Sequence, residues 1–404
     1  MKLRNQLLAL FCLLVFVALG VLYFQVWVVQ KRFGIIVFVS DGMVTRHLTA
    51  ARIYEAGADH RLTLDSFPHN AVVANYTRDF AVPDAAAAAT AIATGSRVNH
   101  RNVAFDYRGQ PLRTLLELAH AQGRAVGLVT NGKLTDPAVA AFYAHVPDGH
   151  DAGTIAAQFV DNAHLDVVFG GGGAEFLPEG EKGRRRDGRN LLAELQRKGV
   201  ELVWTKADLE GASAYRDAPL VGIFSAGPMA YPDEIEAGSQ QPSLSDMVRR
   251  AIECLEGSNK GYVLIVDTGL LTSAAERNEG ERTLQQTLVF DHAVATALKY
   301  GGDRTLVLAV GKHAVGGLSL NGYPLRQDHG VALLGTTASG YPSLTWATGP
   351  NGPPATGNEP AAFQTPSALY TAEDILAAAK GPGAEKLHGF IDNTAIFELL
   401  RDAL

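Results

Sequence analysis

The chain opens with a continuous apolar stretch, residues 8–29, LALFCLLVFVALGVLYFQVWVV, that contains no charge. About 20 such residues are enough for a helix to cross the hydrocarbon core of a bilayer. Lys2 and Arg4 precede the run, and Lys31 and Arg32 follow it. A cleaved leader has a shorter apolar region ending in small residues. This one ends with Phe24, Trp27 and Val29, and its aromatics suit the membrane interface. The pattern predicts an uncleaved signal anchor over residues 1–33 and one folded domain over residues 34–404.

Beyond Gly34 the pattern changes to short apolar runs separated by helical periods. IIVFV (35–39), AVGLV (125–129), residues 167–169, residues 221–224, YVLIV (262–266) and TLVLAV (305–310) are too short for helices and rich in β-branched residues. Continuous apolar runs of this kind suit strands buried on both faces. Between them, Ser243 and Asp246 have capping-box spacing, and Leu244, Met247, Ala251 and Leu255 then repeat on one helical face. Residues 283–299 form another helical period. Strand–helix alternation predicts an α/β fold: a mostly parallel central sheet with helices on both faces, preceded by one transmembrane helix. Residues 331–366, rich in Gly, Pro, Ser and Thr, predict a long surface excursion.

Composition changes this picture little. With 404 residues, 47% hydrophobic and 19% charged, the chain can bury a large core. A formal net charge of -7 offers no basic footprint for nucleic acid, so no nucleic-acid partner is expected. The run Arg184–Arg186 has acidic neighbours and reads as a solvated loop. Cys12 lies in the apolar segment and Cys254 in a predicted helix, so the two cysteines are compatible with either redox compartment.

Polar residues cluster where ligands gather in an open α/β sheet, at the carboxyl ends of strands. Asp41 follows the first strand, Asp267 follows YVLIV, and Lys312–His313 follow TLVLAV. Asp84 precedes the run AAAAATAIATG and is placed to cap a helix. Taken singly, each reads better as a cap or turn residue than as part of a site.

Taken together, the segments resemble the alkaline phosphatase family over most of the chain after the anchor. IIVFVSDGM resembles its first strand and Asp-Gly-Met; PDAAAAATAIATG its nucleophile helix; LTDPAVAAFYAHV its Asp-Ala-Thr-Pro segment; and GKHAVGGLSLNGYP its Asp-His-Glu-Thr-Gly-Gly strand end. HLDVVFGGGGAEF, GIFSAGPMAYPDE, PSLSDMVRRAIECLE and GPGAEKLHGFIDNTAIF follow in family order. The resemblance implies a serine nucleophile at a helix N-terminus, two zinc ions, a magnesium ion and a phosphate-clamping arginine.

Carried over position by position, most of that machinery is replaced. The serine position is Ala85 and the arginine position is Gly149. The Asp-His after TLVLAV reads Lys312–His313; the Asp and His of the other zinc read Thr272 and Glu276; its last histidine reads Tyr370. The magnesium threonine is Ala138 and its glutamate is Asp267, while Asp136 fits the neighbouring carboxylate. Asp41, Asp267 and His313 remain as residual metal candidates, too few for the three or four ligands of a tight zinc site. A hydrogen-bonded cleft histidine is the other reading of His313. No cofactor is therefore expected, although the family would use zinc and magnesium.

These substitutions imply a catalytically inactive, membrane-anchored relative that works by binding or by pairing. The resemblance implies a homodimer or a mixed dimer with an active relative. The expected location is the inner membrane, single-pass, with the domain on the periplasmic or extracellular side. Lys312 is expected to stand where zinc stood and to pair with Asp41 and Asp84, the alternative being an exposed turn lysine. The competing reading is an active phosphomonoesterase with Thr90 as nucleophile and metals on Asp41, Asp84, Asp267 and His313.

Overall fold

The computed structural model describes residues 2–23, 33–40, 44–235, 239–321, 342–352 and 362–404. Asp41 lies outside them. Helix α1 (Lys2–Tyr23) is the one described helix long and apolar enough to cross a membrane, and none of its apolar window is buried against the body. It begins six residues before the predicted run, because Lys2, Arg4 and Gln6 are good helix formers.

Ten strands build the main sheet: β1 (Gly34–Ser40), β2 (His69–Ala74), β3 (Ala125–Lys133), β4 (Val167–Gly171), β5 (Glu201–Val203), β6 (Leu220–Ile223), β7 (Tyr262–Asp267), β8 (Thr305–Gly311), β9 (Ile375–Lys380) and β10 (Gly389–Asp392). Their order is β10-β2-β9-β8-β1-β7-β3-β4-β6-β5. β1 is parallel to β7 on one side and to β8 on the other, so all three end on the same edge. β9 runs antiparallel between β8 and β2, and sequence pattern did not show it. Its ILAAAK run has small residues in place of the β-branched signature of its neighbours.

Two apolar layers flank the sheet. Ile35, Val37 and Val39 face one layer and Ile36 and Phe38 the other, all essentially inaccessible to solvent. That is the alternation expected for a strand covered on both faces. The helix Leu244–Leu255 is capped by a reciprocal Ser243/Asp246 box and buries Leu244, Met247, Ala251 and Leu255. The excursion after residue 331 is described only in part, and that part contains the two-residue strands Leu344–Thr345, Thr348–Gly349 and Phe363–Gln364.

Candidate functional site

The carboxyl ends of β1, β7, β8 and β3 converge with helices α2 (Thr45–Ala56) and α3 (Ala85–Thr94). α3 starts because Asp84, in extended conformation, accepts the Ala87 amide at 2.9 Å. Its other carboxylate oxygen takes the Arg101 amide at 2.6 Å. Arg101 holds a left-handed backbone (φ 69°), and its guanidinium grips Asp148 through two bonds, at 3.0 and 2.6 Å. Ala85 is the first residue of α3, where the helix dipole favours an anion, and its methyl group has no nucleophilic atom.

Lys312 is 1% exposed, which rules out the alternative of an exposed turn lysine. Its ammonium donates to Asp267 Oδ1 at 2.5 Å. The expected partners were Asp41, which lies outside the described residues, and Asp84. Among the described residues the carboxylate within ion-pair distance is Asp267, while the two Asp84 oxygens accept backbone amides. The second oxygen of Asp267 accepts the Thr130 hydroxyl at 2.7 Å. The Lys312 amide donates to the Ser40 carbonyl at 2.9 Å, and Asn75 donates to the Lys312 carbonyl. Ser40 and Thr268 share a hydroxyl hydrogen bond of 2.7 Å.

A second cluster sits beside this one. Thr272 and Glu276 lie one turn apart on the helix Gly269–Glu276. Tyr370 donates its hydroxyl to Glu276 Oε1 at 3.0 Å. The Tyr370 ring lies against His313, centroids 4.3 Å apart, because Tyr370–Thr371 pairs antiparallel with Ala314–Val315. Complete burial, with Lys312 beside it, pushes the His313 pKa down to about 3, so the imidazole is neutral at ordinary pH. His47 on α2 is similarly buried and is pushed down to about 4.

Asp136 accepts the Lys133 amide at 2.8 Å and has the Lys133 ammonium 3.5 Å away. Burial raises its pKa even though 28% of its side chain reaches solvent. Gly132 permits this arrangement, because a Cβ there would sit 2.6 Å from Asp136 Oδ2. Gly149 is equally confined: an added Cβ would lie 2.9 Å from Pro137 Cβ. Ala138 is buried and has no ligating atom. Thr90 is fully buried, donating to the Asn102 carbonyl and accepting from the Ala104 amide. This buried, doubly bonded hydroxyl is no nucleophile facing a cleft.

The alkaline phosphatase family model matches residues 33–340. The chain belongs to the alkaline phosphatase family. Streptomycin-6-phosphate phosphatase of Streptomyces griseus is 30% identical over 92% of this chain and 90% of its own. The tissue-nonspecific alkaline phosphatase of Gallus gallus is 29% identical over 88% of this chain and 81% of its own. Among solved structures, alkaline phosphatase from the Antarctic bacterium TAB5 superposes with TM-score 0.76 at 19% identity, covering 93% of this chain and 98% of its own. The Thermus thermophilus enzyme gives 0.75 at 23%, covering 93% and 92%.

Sequence pattern missed several members of this alkaline phosphatase-like site. Ser40 and Asn75 stand at and just past the ends of β1 and β2, the one positional signal available for them, while Thr130 lies inside β3, opposite Asp267 of β7. Arg101 had no signal, because its place beside Asp84 and Asp148 depends on a left-handed turn.

Proposed function

We propose that this protein is a membrane-anchored, non-hydrolytic member of the alkaline phosphatase family that acts by binding or by pairing with a second copy or an active relative. The observation that carries the reading is the buried Lys312–Asp267 ion pair, at 2.5 Å, in the position where the family pattern requires metal ligands. A protonated amine has no lone pair for a metal, and its charge repels a dication. The residues present do not fit the family's zinc and magnesium: Ala138, Lys312 and the Glu276–Tyr370 pair replace donors. Among the described residues no three His, Cys, Asp or Glu side chains gather as a metal cage.

The anchor reading rests on α1, whose mean hydropathy is 2.5 over its most apolar window, and on the aromatic residues that end the apolar run. The same proposal has the domain on the periplasmic or extracellular side of an inner membrane, an orientation supported by the fold that follows the anchor. The deciding experiment assays the full chain and an Ala85→Ser variant on a chromogenic phosphate monoester at alkaline pH with zinc and magnesium supplied. Neither is expected to turn over substrate above the blank, because a restored serine still lacks the metals and the arginine. Chelator-sensitive turnover by the unmodified chain would establish the competing reading, an active phosphatase.

A further inference from the structure

The tether enters the body at one particular edge of the sheet. Nine residues, 24–32, separate Tyr23 of α1 from Phe33. Fully extended they reach about 32 Å. Phe33 leads directly into Gly34, the first residue of β1, at the amino ends of the parallel strands. Lys312, Asp267 and Asp84 stand at the opposite, carboxyl edge, one strand length away, or about 23 Å for the seven residues of β1.

The amino-end face has its own chemistry. A cavity of about 630 Å³ opens there, lined by Arg124, Asp166, Tyr215, Arg216, Asp217 and Ser258 among others, with Arg216 ion-paired to Glu201. Tyr215 is 91% exposed, the most exposed large hydrophobic side chain among the described residues. Lys260 is exposed in the turn that leads to β7, whose Tyr262 amide bonds the Phe33 carbonyl at 3.3 Å. The Arg124 guanidinium lies 5.5 Å from the Phe33 ring, so this patch adjoins the tether. Tyrosine favours the zone where one end of the ring is apolar and the hydroxyl is wet. Lysine and arginine near a bilayer attract anionic headgroups.

We propose that this amino-end face, with Tyr215 at its tip and Lys260 beside the tether, rests on the lipid headgroups of the membrane that holds α1, turning the Lys312 cleft away from the bilayer. The inference depends on α1 being retained as an anchor. Lipid is the occupant because the chain itself delivers this face to the membrane within a short tether.

The test uses the full chain in nanodiscs of phosphatidylcholine and phosphatidylglycerol, with hydroxyl-radical oxidation read residue by residue. Tyr215 reports the amino-end face. Phe80, 56% exposed and four residues before Asp84, reports the cleft side. In detergent micelles the exposures predict Tyr215 to be oxidised more than Phe80. In nanodiscs Tyr215 is expected to be protected several-fold and the order to reverse. Tyr215 remaining the more oxidised, or Phe80 becoming the protected one, overturns the docking proposal while leaving the anchor intact. Intact mass of the membrane-extracted chain reads the anchor separately: loss of residues 1–23 overturns the anchor and the docking with it.

Discussion

Two clusters at the carboxyl edge of the sheet hold carboxylates, at positions that the family resemblance assigns to metal ligands, in different ways. At Asp267 the neutralising group is a full charge, the Lys312 ammonium, with Thr130 on the other oxygen and almost no solvent. At Glu276 the hydroxyl donor among the described residues is a neutral phenol, Tyr370, and both residues are only partly buried. The difference follows from burial. A dry carboxylate requires a compensating charge, whereas a partly wet one needs only a hydrogen bond. On the proposed reading, in which the cleft holds no metal, the two positions are neutralised differently, and the deeper one takes the cation.

That contrast can be broken most severely at Lys312. Lys312→Met leaves the Asp267 carboxylate buried with only a threonine donor, and is expected to cost ~3–5 kcal/mol. The denaturant midpoint of the full chain reads this. Lys312→Met combined with Asp267→Asn removes both charges and is expected to recover much of the loss. If the single variant is as stable as the parent, the pair does not compensate the site.

Acid is the next lever, and it acts on the imidazole between the clusters. His313 has a pKa of about 3 in the fold and an ordinary histidine value when unfolded. Between those values the unfolded chain binds the proton and the fold does not, so stability is full above about 6.5 and falls as pH drops toward 3. His47, at about 4, adds a loss of the same sign. His313→Gln is expected to flatten the midpoint-against-pH curve between pH 7 and pH 5, with the His47 share remaining. An unchanged slope would mean that His313 titrates normally in the fold.

The smallest effect belongs to the wetter cluster. Tyr370→Phe removes one hydrogen bond to Glu276 and leaves the ring on His313, so a loss of ~1 kcal/mol is expected. The same unfolding assay checks it. A loss as large as that of Lys312→Met would erase the distinction between the clusters.

Most of the sheet could be read in the sequence because its central strands are continuous apolar runs, and Asp84 as a cap because the helix after it is so regular. β9 could not, being built on alanines and running antiparallel. The identities of the altered site residues were legible from family resemblance, but their partners were not. Lys312 follows β8 and Asp267 ends β7, and these strands flank β1, so their meeting depends on strand order. Likewise Gly149 shows in sequence only that an arginine is absent. The fold adds that the loop has packed against Pro137, leaving no room for a side chain without movement.

The central claim is that the cleft is held together by its own side chains in place of metal. Elemental analysis of the full chain, purified from medium supplemented with zinc and magnesium, tests it most directly. The account predicts far less than one equivalent of either metal per chain; an equivalent or more of tightly held zinc would contradict it.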